Sequence, residues 1–152
     1  MDLRAAQLSL APYPHLAASG PLHDAEKEYA EARLTAALVE GVALPGADDL
    51  GVGPAAWLSG LAEAASELRR HVLDRLREGS DQRQRAEDLL GAMDDVYSLL
   101  ITIDFPDAVT GGLRRTTDAL RAVLERTRGD VTTTVLQARL QAAIEARLPQ
   151  GQ

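Results

Sequence analysis

No cysteine occurs anywhere in the chain, which excludes disulfides, thiolate nucleophiles and cysteine-ligated zinc. Aromatic side chains make up 3% of the residues, so leucine and alanine must fill the core, and close helix packing is favoured over a sheet sandwich. No apolar run approaches the ~18 residues of a membrane span. The first residues, Met1-Asp2-Leu3-Arg4, lack the basic and apolar segments of a secretory signal, and a cytoplasmic location without a membrane partner is expected. Lysine is nearly missing too: fifteen of the sixteen basic residues are arginine. Codon bias is the first reading of that excess, and guanidinium recognition of phosphate the second. No Gly-rich nucleotide loop occurs, and the serines have no companion histidine at a hydrolase spacing. His15, His23 and His71 fit no zincin pattern.

What is present is 152 residues, 45% of them hydrophobic, enough for one domain. The charge is uneven. From Gly111 to Arg147 seven arginines face four acids, a net of +3, so the rest of the chain carries −10 of the total −7. Such asymmetry hints at two differently tasked surfaces.

Punctuation divides the chain into helices. Leu3–Leu10 reads as a helix stub that ends at Pro12-Tyr13-Pro14. From Pro21 to Glu40, apolar residues recur at Ala25, Tyr29, Ala32, Ala36 and Val39, with Gly41 as the stop. The Gly, Pro and Asp residues between Gly41 and Gly53 mark a connector. Pro54 suits the first turn of a helix with a Leu58, Leu61, Ala65, Leu68, Val72, Leu76 stripe, ending near Glu78-Gly79-Ser80. Another spans about Gln82 to Ile103 and is closed by Pro106. A last helical pattern runs from about Leu113 to Leu148, weakened but not broken at Gly129. Strand alternation is absent. The expectation is a single all-α domain, residues 1–20 a helix stub and connector and residues 21–148 the core, built from about four main antiparallel helices with the last the longest.

Two glutamate pairs stand out. Glu28 with Glu31 and Glu63 with Glu67 each share one helical face. If their helices pack side by side, four carboxylates gather where desolvation penalises them, and a divalent cation or raised pKa values would make the cluster tolerable. On the second helix the same side carries Ala56, Gly60 and Ala64, small residues that let another backbone approach. The alternative on pattern alone is a solvated acidic face. His71, four residues after Glu67, is a possible fifth member, or a plain surface histidine.

Several segments then resemble a known family. Leu22-His23-Asp24-Ala25-Glu26-Lys27-Glu28-Tyr29-Ala30-Glu31-Ala32, with Pro12-Tyr13-Pro14-His15 before it, is similar to the helix carrying a Glu-Tyr-Val-Glu-Ala motif in the translin superfamily, in its translin-associated factor X (trax) branch. Trp57-Leu58-Ser59-Gly60-Leu61 and Ala65-Ser66-Glu67-Leu68 resemble that family's Tyr-Leu-x-Gly and Gly-Glu-Leu pattern. Phe105-Pro106-Asp107-Ala108-Val109-Thr110-Gly111-Gly112-Leu113, continuing into Glu125-Arg126-Thr127-Arg128-Gly129-Asp130, is typical of prokaryotic translin-like proteins.

The resemblance covers residues 12 to 147. It implies a translin-like helical bundle assembling into homo-oligomers around single-stranded RNA, or DNA. The trax branch further implies an enzyme, a Mg²⁺- or Mn²⁺-dependent endoribonuclease, whose acidic quartet corresponds to Glu28, Glu31, Glu63 and Glu67. The family's third acid is commonly aspartate, so Glu63 is one methylene longer. Arg114, Arg115 and Arg121 would hold the strand by its phosphates, or simply decorate a solvated helix start. Family members carry two more helices before the Glu-Tyr-x-Glu helix, and the expectation is an N-terminally shortened member whose uncovered apolar faces, part of the final helix among them, are exposed or covered by partner chains. The alternative is a non-catalytic translin-like subunit that binds single strands.

Overall fold

Gly60 sets the geometry of the fold. A Cβ at this position would stand 2.9 Å from the Ala30 Cβ, 2.9 Å from the Lys27 carbonyl oxygen and 3.0 Å from the Glu31 amide nitrogen, closer than packed atoms tolerate. Two helix backbones therefore touch at a residue that offers no side chain. The computed structural model describes residues 3–13 and 20–147; Pro14, His15 and Leu148 lie outside the described residues.

The elements follow the punctuation. Helix α1 is Leu3–Leu10, and α2 is Gly20–Glu40. Gly41, at φ 73°, ends α2 in a Schellman closure: its amide and that of Val42 donate to the Leu38 and Ala37 carbonyls at 3.3 and 3.1 Å. The central helix α4, Pro54–Glu78, has proline in its first turn as expected. Helix α5 is Arg83–Leu100, and α7 is Leu113–Glu145, running unbroken through Gly129. These four long helices make the all-α bundle anticipated from the periodicity.

Three details differ from expectation. The connector after Gly41 contains a short helix α3, Ala47–Leu50, whose first turn is closed by the Asp49 carboxylate accepting from the Gly46 amide at 2.8 Å. Helix α5 stops at Leu100 rather than Ile103; the Thr102 hydroxyl donates to the Leu99 carbonyl at 2.6 Å, turning the chain before Pro106 opens a second short helix, α6, Asp107–Thr110. Most of the apolar period proposed for α2 lies on its outside, while Val39 is half-buried against the core. Ala25, Tyr29, Ala32 and Ala36 are exposed, whereas Leu22, Ala30, Leu34 and Ala37 are buried. An alanine-rich helix presents more than one apolar row, and Ala30 wins because it seats against Gly60.

Helix α4 runs through the middle. Ala56, Ser59, Gly60, Leu61, Ala62, Ala64, Ala65, Leu68 and Val72 are all buried, more than half of the circumference, because α2 covers one side while α5 and α7 cover the other. The core continues along α4 from Leu34, Leu61 and Leu120 to Leu68, Val72, Met93 and Leu124. Polar ties lock the neighbours. Arg69 on α4 donates to Thr127 at 3.2 Å and pairs with Asp130 at 2.9 Å, and Arg128 of α7 reaches Asp94 of α5 at 2.9 Å. Glu26 of α2 receives the Gly53 amide at the start of α4 (3.1 Å) and Gln7 of α1 (2.7 Å). Burial on α7 ends at Val131, and Leu136, Leu140 and Ile144 beyond it are more than half exposed, as expected for part of the final helix. Among the described residues, no helix is long and apolar enough to cross a membrane.

Glycine substitutions distinguish the crossing from ordinary helix positions. Gly60→Val should lower unfolding stability by about 1–3 kcal/mol through overpacking. Gly91→Ala and Gly129→Ala, where an added Cβ meets nothing within 4 Å, should raise it by about 0.5–1 kcal/mol. Urea unfolding of the three variants checks both signs.

Candidate metal centre

The crossing at Gly60 brings one face of α2 onto one face of α4. Lys27, Glu28 and Glu31 belong to the turn of α2 that touches Gly60, and Glu63 stands three residues after that glycine on α4. Without a side chain at position 60, nothing holds the helices apart, and the Glu63 carboxylate meets the two from α2. One oxygen each from Glu28, Glu31 and Glu63 lie within 4.8 Å of one another.

Solvent screens this group unequally. The Glu28 side chain is 68% exposed and that of Glu63 33%. Glu31 is half-buried, and its pKa is raised, first by loss of hydration, then by the negative charges of Glu63 and Glu28 and a hydrogen bond with Glu63. Lys27 opposes that shift. Its ammonium donates to Glu63 Oε1 at 3.1 Å and lies 3.7 Å from Glu28 Oε1; the bond to Glu63 leads the causes that raise the Lys27 pKa. Three carboxylates against one ammonium leave two excess negative charges. The donors are all hard oxygens, and loss of hydration together with the neighbouring negative charges makes ionisation of the half-buried Glu31 harder, so the residues fit a cation such as Mg²⁺ or Mn²⁺.

Of the four carboxylates anticipated from spacing, three converge. Glu67, one turn beyond Glu63, instead has its Oε1 2.7 Å from Arg70 Nη2. Its side chain is 41% exposed, so a change of rotamer would free it. His71 is half-buried and outside the trio. Arg114, Arg115 and Arg121 are exposed; Arg114 faces the exposed Asp104 at 3.5 Å, and Arg114 and Arg121 share a helical face two turns apart. Their helix begins close to the first turns of α2, since a Cβ on Gly111 would lie 3.3 Å from His23 Nε2. The residue that spacing missed is Lys27. Its signal was its rarity, a single lysine in an arginine-rich chain.

Fold and site together define an all-helical bundle with a carboxylate centre at a helix crossing. No protein-family model matches the chain. An uncharacterized protein of Methanocaldococcus jannaschii is 34% identical over 84 residues, 55% of this chain and 36% of that relative's length. Among solved structures, the AfC3PO complex with duplex RNA superposes with a TM-score of 0.75 at 34% identity, over 90% of this chain and 68% of that one. A crystal structure of AfC3PO gives 0.67 at 37% identity, over 73% and 57% of the two chains. The chain belongs to the translin superfamily, with the C3PO-like bundle as its fold.

The raised Glu31 pKa has a measurable consequence. The folded chain binds this proton more tightly than the unfolded chain, so the associated stability is present below the ordinary value of 4.5 and lost as pH rises through the raised one. Without divalent ions, Glu31→Gln should therefore melt above the parent at pH 7, and the difference should shrink towards nothing near pH 4 in paired thermal melts.

Proposed function

We propose that the chain is a subunit of a Mg²⁺- or Mn²⁺-dependent endoribonuclease, a trax-like enzyme acting on single-stranded RNA. The observation that carries this reading is the meeting of Glu28, Glu31 and Glu63 within 4.8 Å at a crossing that Gly60 makes possible. Membership of the translin superfamily supports it, as does the capture of AfC3PO, at 34% identity, in a complex with duplex RNA.

In this reading Glu28, Glu31 and Glu63 hold the cation, and Glu67 joins as a fourth ligand when it turns from Arg70. A cation at this position supplies Lewis acidity towards water and a phosphodiester oxygen. The protein's own contribution is placement. Glu31 presents the half-buried carboxylate whose ionisation a cation would favour, and the exposed Glu28 leaves one side open to a strand. Arg114, Arg115 and Arg121 engage phosphates rather than bases, which gives weak sequence preference and strong salt dependence. The exposed apolar rows, Ala25, Tyr29, Ala32 and Ala36 on α2 and Leu136, Leu140 and Ile144 on α7, are covered by further copies in a homo-oligomer.

One observation favours a second reading. With Glu67 held by Arg70, only three carboxylates meet, and a subunit that binds RNA without cutting it would need none of them. Labelled single-stranded RNA, with the duplex of the same sequence alongside, separates the two. The parent should cleave with Mg²⁺ or Mn²⁺ and stop with chelator, while Glu28→Ala, Glu31→Ala and Glu63→Ala each lose about 100-fold or more of the rate. Retarded but intact RNA in every lane would favour the binding subunit. Arg114→Ala should weaken RNA binding whatever the sequence and lower the salt slope by about 1.

A further inference from the structure

Lys27 has a place in this centre that neither the spacing nor the family membership assigns. It is the sole lysine among sixteen basic residues, and its side chain is only 20% exposed. The ammonium is 3.1 Å from Glu63 Oε1 and 3.7 Å from Glu28 Oε1, two of the three carboxylates that would surround a divalent ion. Such an ion must share Glu63 with the ammonium and lie within a few ångströms of it.

We propose that Lys27 is a resident counter-cation of the carboxylate centre: it holds Glu63 at the crossing while no divalent ion is bound, and it competes with that ion for the same oxygens. The inference rests on the reading of the trio as a cation site. The choice of lysine fits the role. An arginine fork can grip a carboxylate through two parallel bonds, whereas an ammonium on a flexible stem makes single, rotatable bonds and lets go. When a nucleic-acid strand arrives, its phosphate offers the released ammonium a new acceptor. Strand and divalent ion then favour each other's binding, each removing the cost that Lys27 sets on the other.

Removing the ammonium should tighten the centre's hold on a divalent ion. Mn²⁺ binding to the full chain, followed by the electron paramagnetic resonance of free Mn²⁺ in the absence of RNA, reads this without any cleavage assay. Lys27→Gln and Lys27→Met should bind Mn²⁺ on the order of tenfold more tightly than the parent, as expected for removing a unit charge a few ångströms from the ion. Lys27→Arg, which keeps the charge, should bind no more tightly than the parent, and Glu31→Gln should bind far more weakly. A lysine that merely braced the fold would give the opposite sign, since its loss would loosen the site. If the parent binds Mn²⁺ and Glu31→Gln does not, yet both neutral Lys27 variants bind equally or more weakly, the role given to Lys27 is wrong. If the parent does not bind Mn²⁺, or binds it no better than Glu31→Gln, the cation-site reading itself fails and takes this inference with it.

Discussion

Everything distinctive about this molecule depends on the contact between α2 and α4 at Gly60. An α-helix normally keeps its neighbour about 8–10 Å away through the side chains between them. Here the missing Cβ lets the Lys27 carbonyl and the Glu31 amide come to about 3 Å from where that carbon would stand. The same contact selects which face of α2 is buried, seats Ala30 in the core, and leaves the half-polar turn of Lys27, Glu28 and Glu31 opposite Glu63. Glycine inside a helix is costly by itself, and the tight packing it permits against α2 offsets that cost.

Electrostatics at the crossing would otherwise oppose the packing that creates it. Three carboxylates are gathered within 4.8 Å, and Glu31 has lost enough water to resist ionisation. The fold tolerates this because Glu28 remains exposed and because Lys27 supplies one positive charge. The arrangement stays short of positive charge. That shortage distinguishes a site suited to a cation from a row of solvated acids such as Asp48 and Asp49, which sit on the exposed connector.

Much of the architecture was legible in the residues because it is written in local chemistry. Gly41 and Pro54 act through fixed or permitted backbone angles, so helix limits at those positions follow without knowledge of the packing, whereas the helix expected to run up to Pro106 ends at Leu100. The four-helix outline and the stripe on α4 are equally local. The glutamate pairs were visible as spacing, and Gly60 as one of a row of small residues. The buried face of α2 was not legible, since alanines line more than one of its faces and only the partner helix decides between them. Nor was the division of the quartet: spacing puts Glu67 within reach of both Glu63 and Arg70, and only the side-chain placement shows that it pairs with Arg70. Lys27 escaped attention because its importance comes from a residue 36 positions away.

The measurement that bears most directly on the central claim is a crystal of the full chain grown with Mn²⁺, read by the anomalous signal of the metal. The account predicts a Mn²⁺ peak between α2 and α4, within bonding distance of carboxylate oxygens of Glu28, Glu31 and Glu63. A crystal at high Mn²⁺ with no peak at this crossing, or with these three side chains turned apart into solvent, would contradict it.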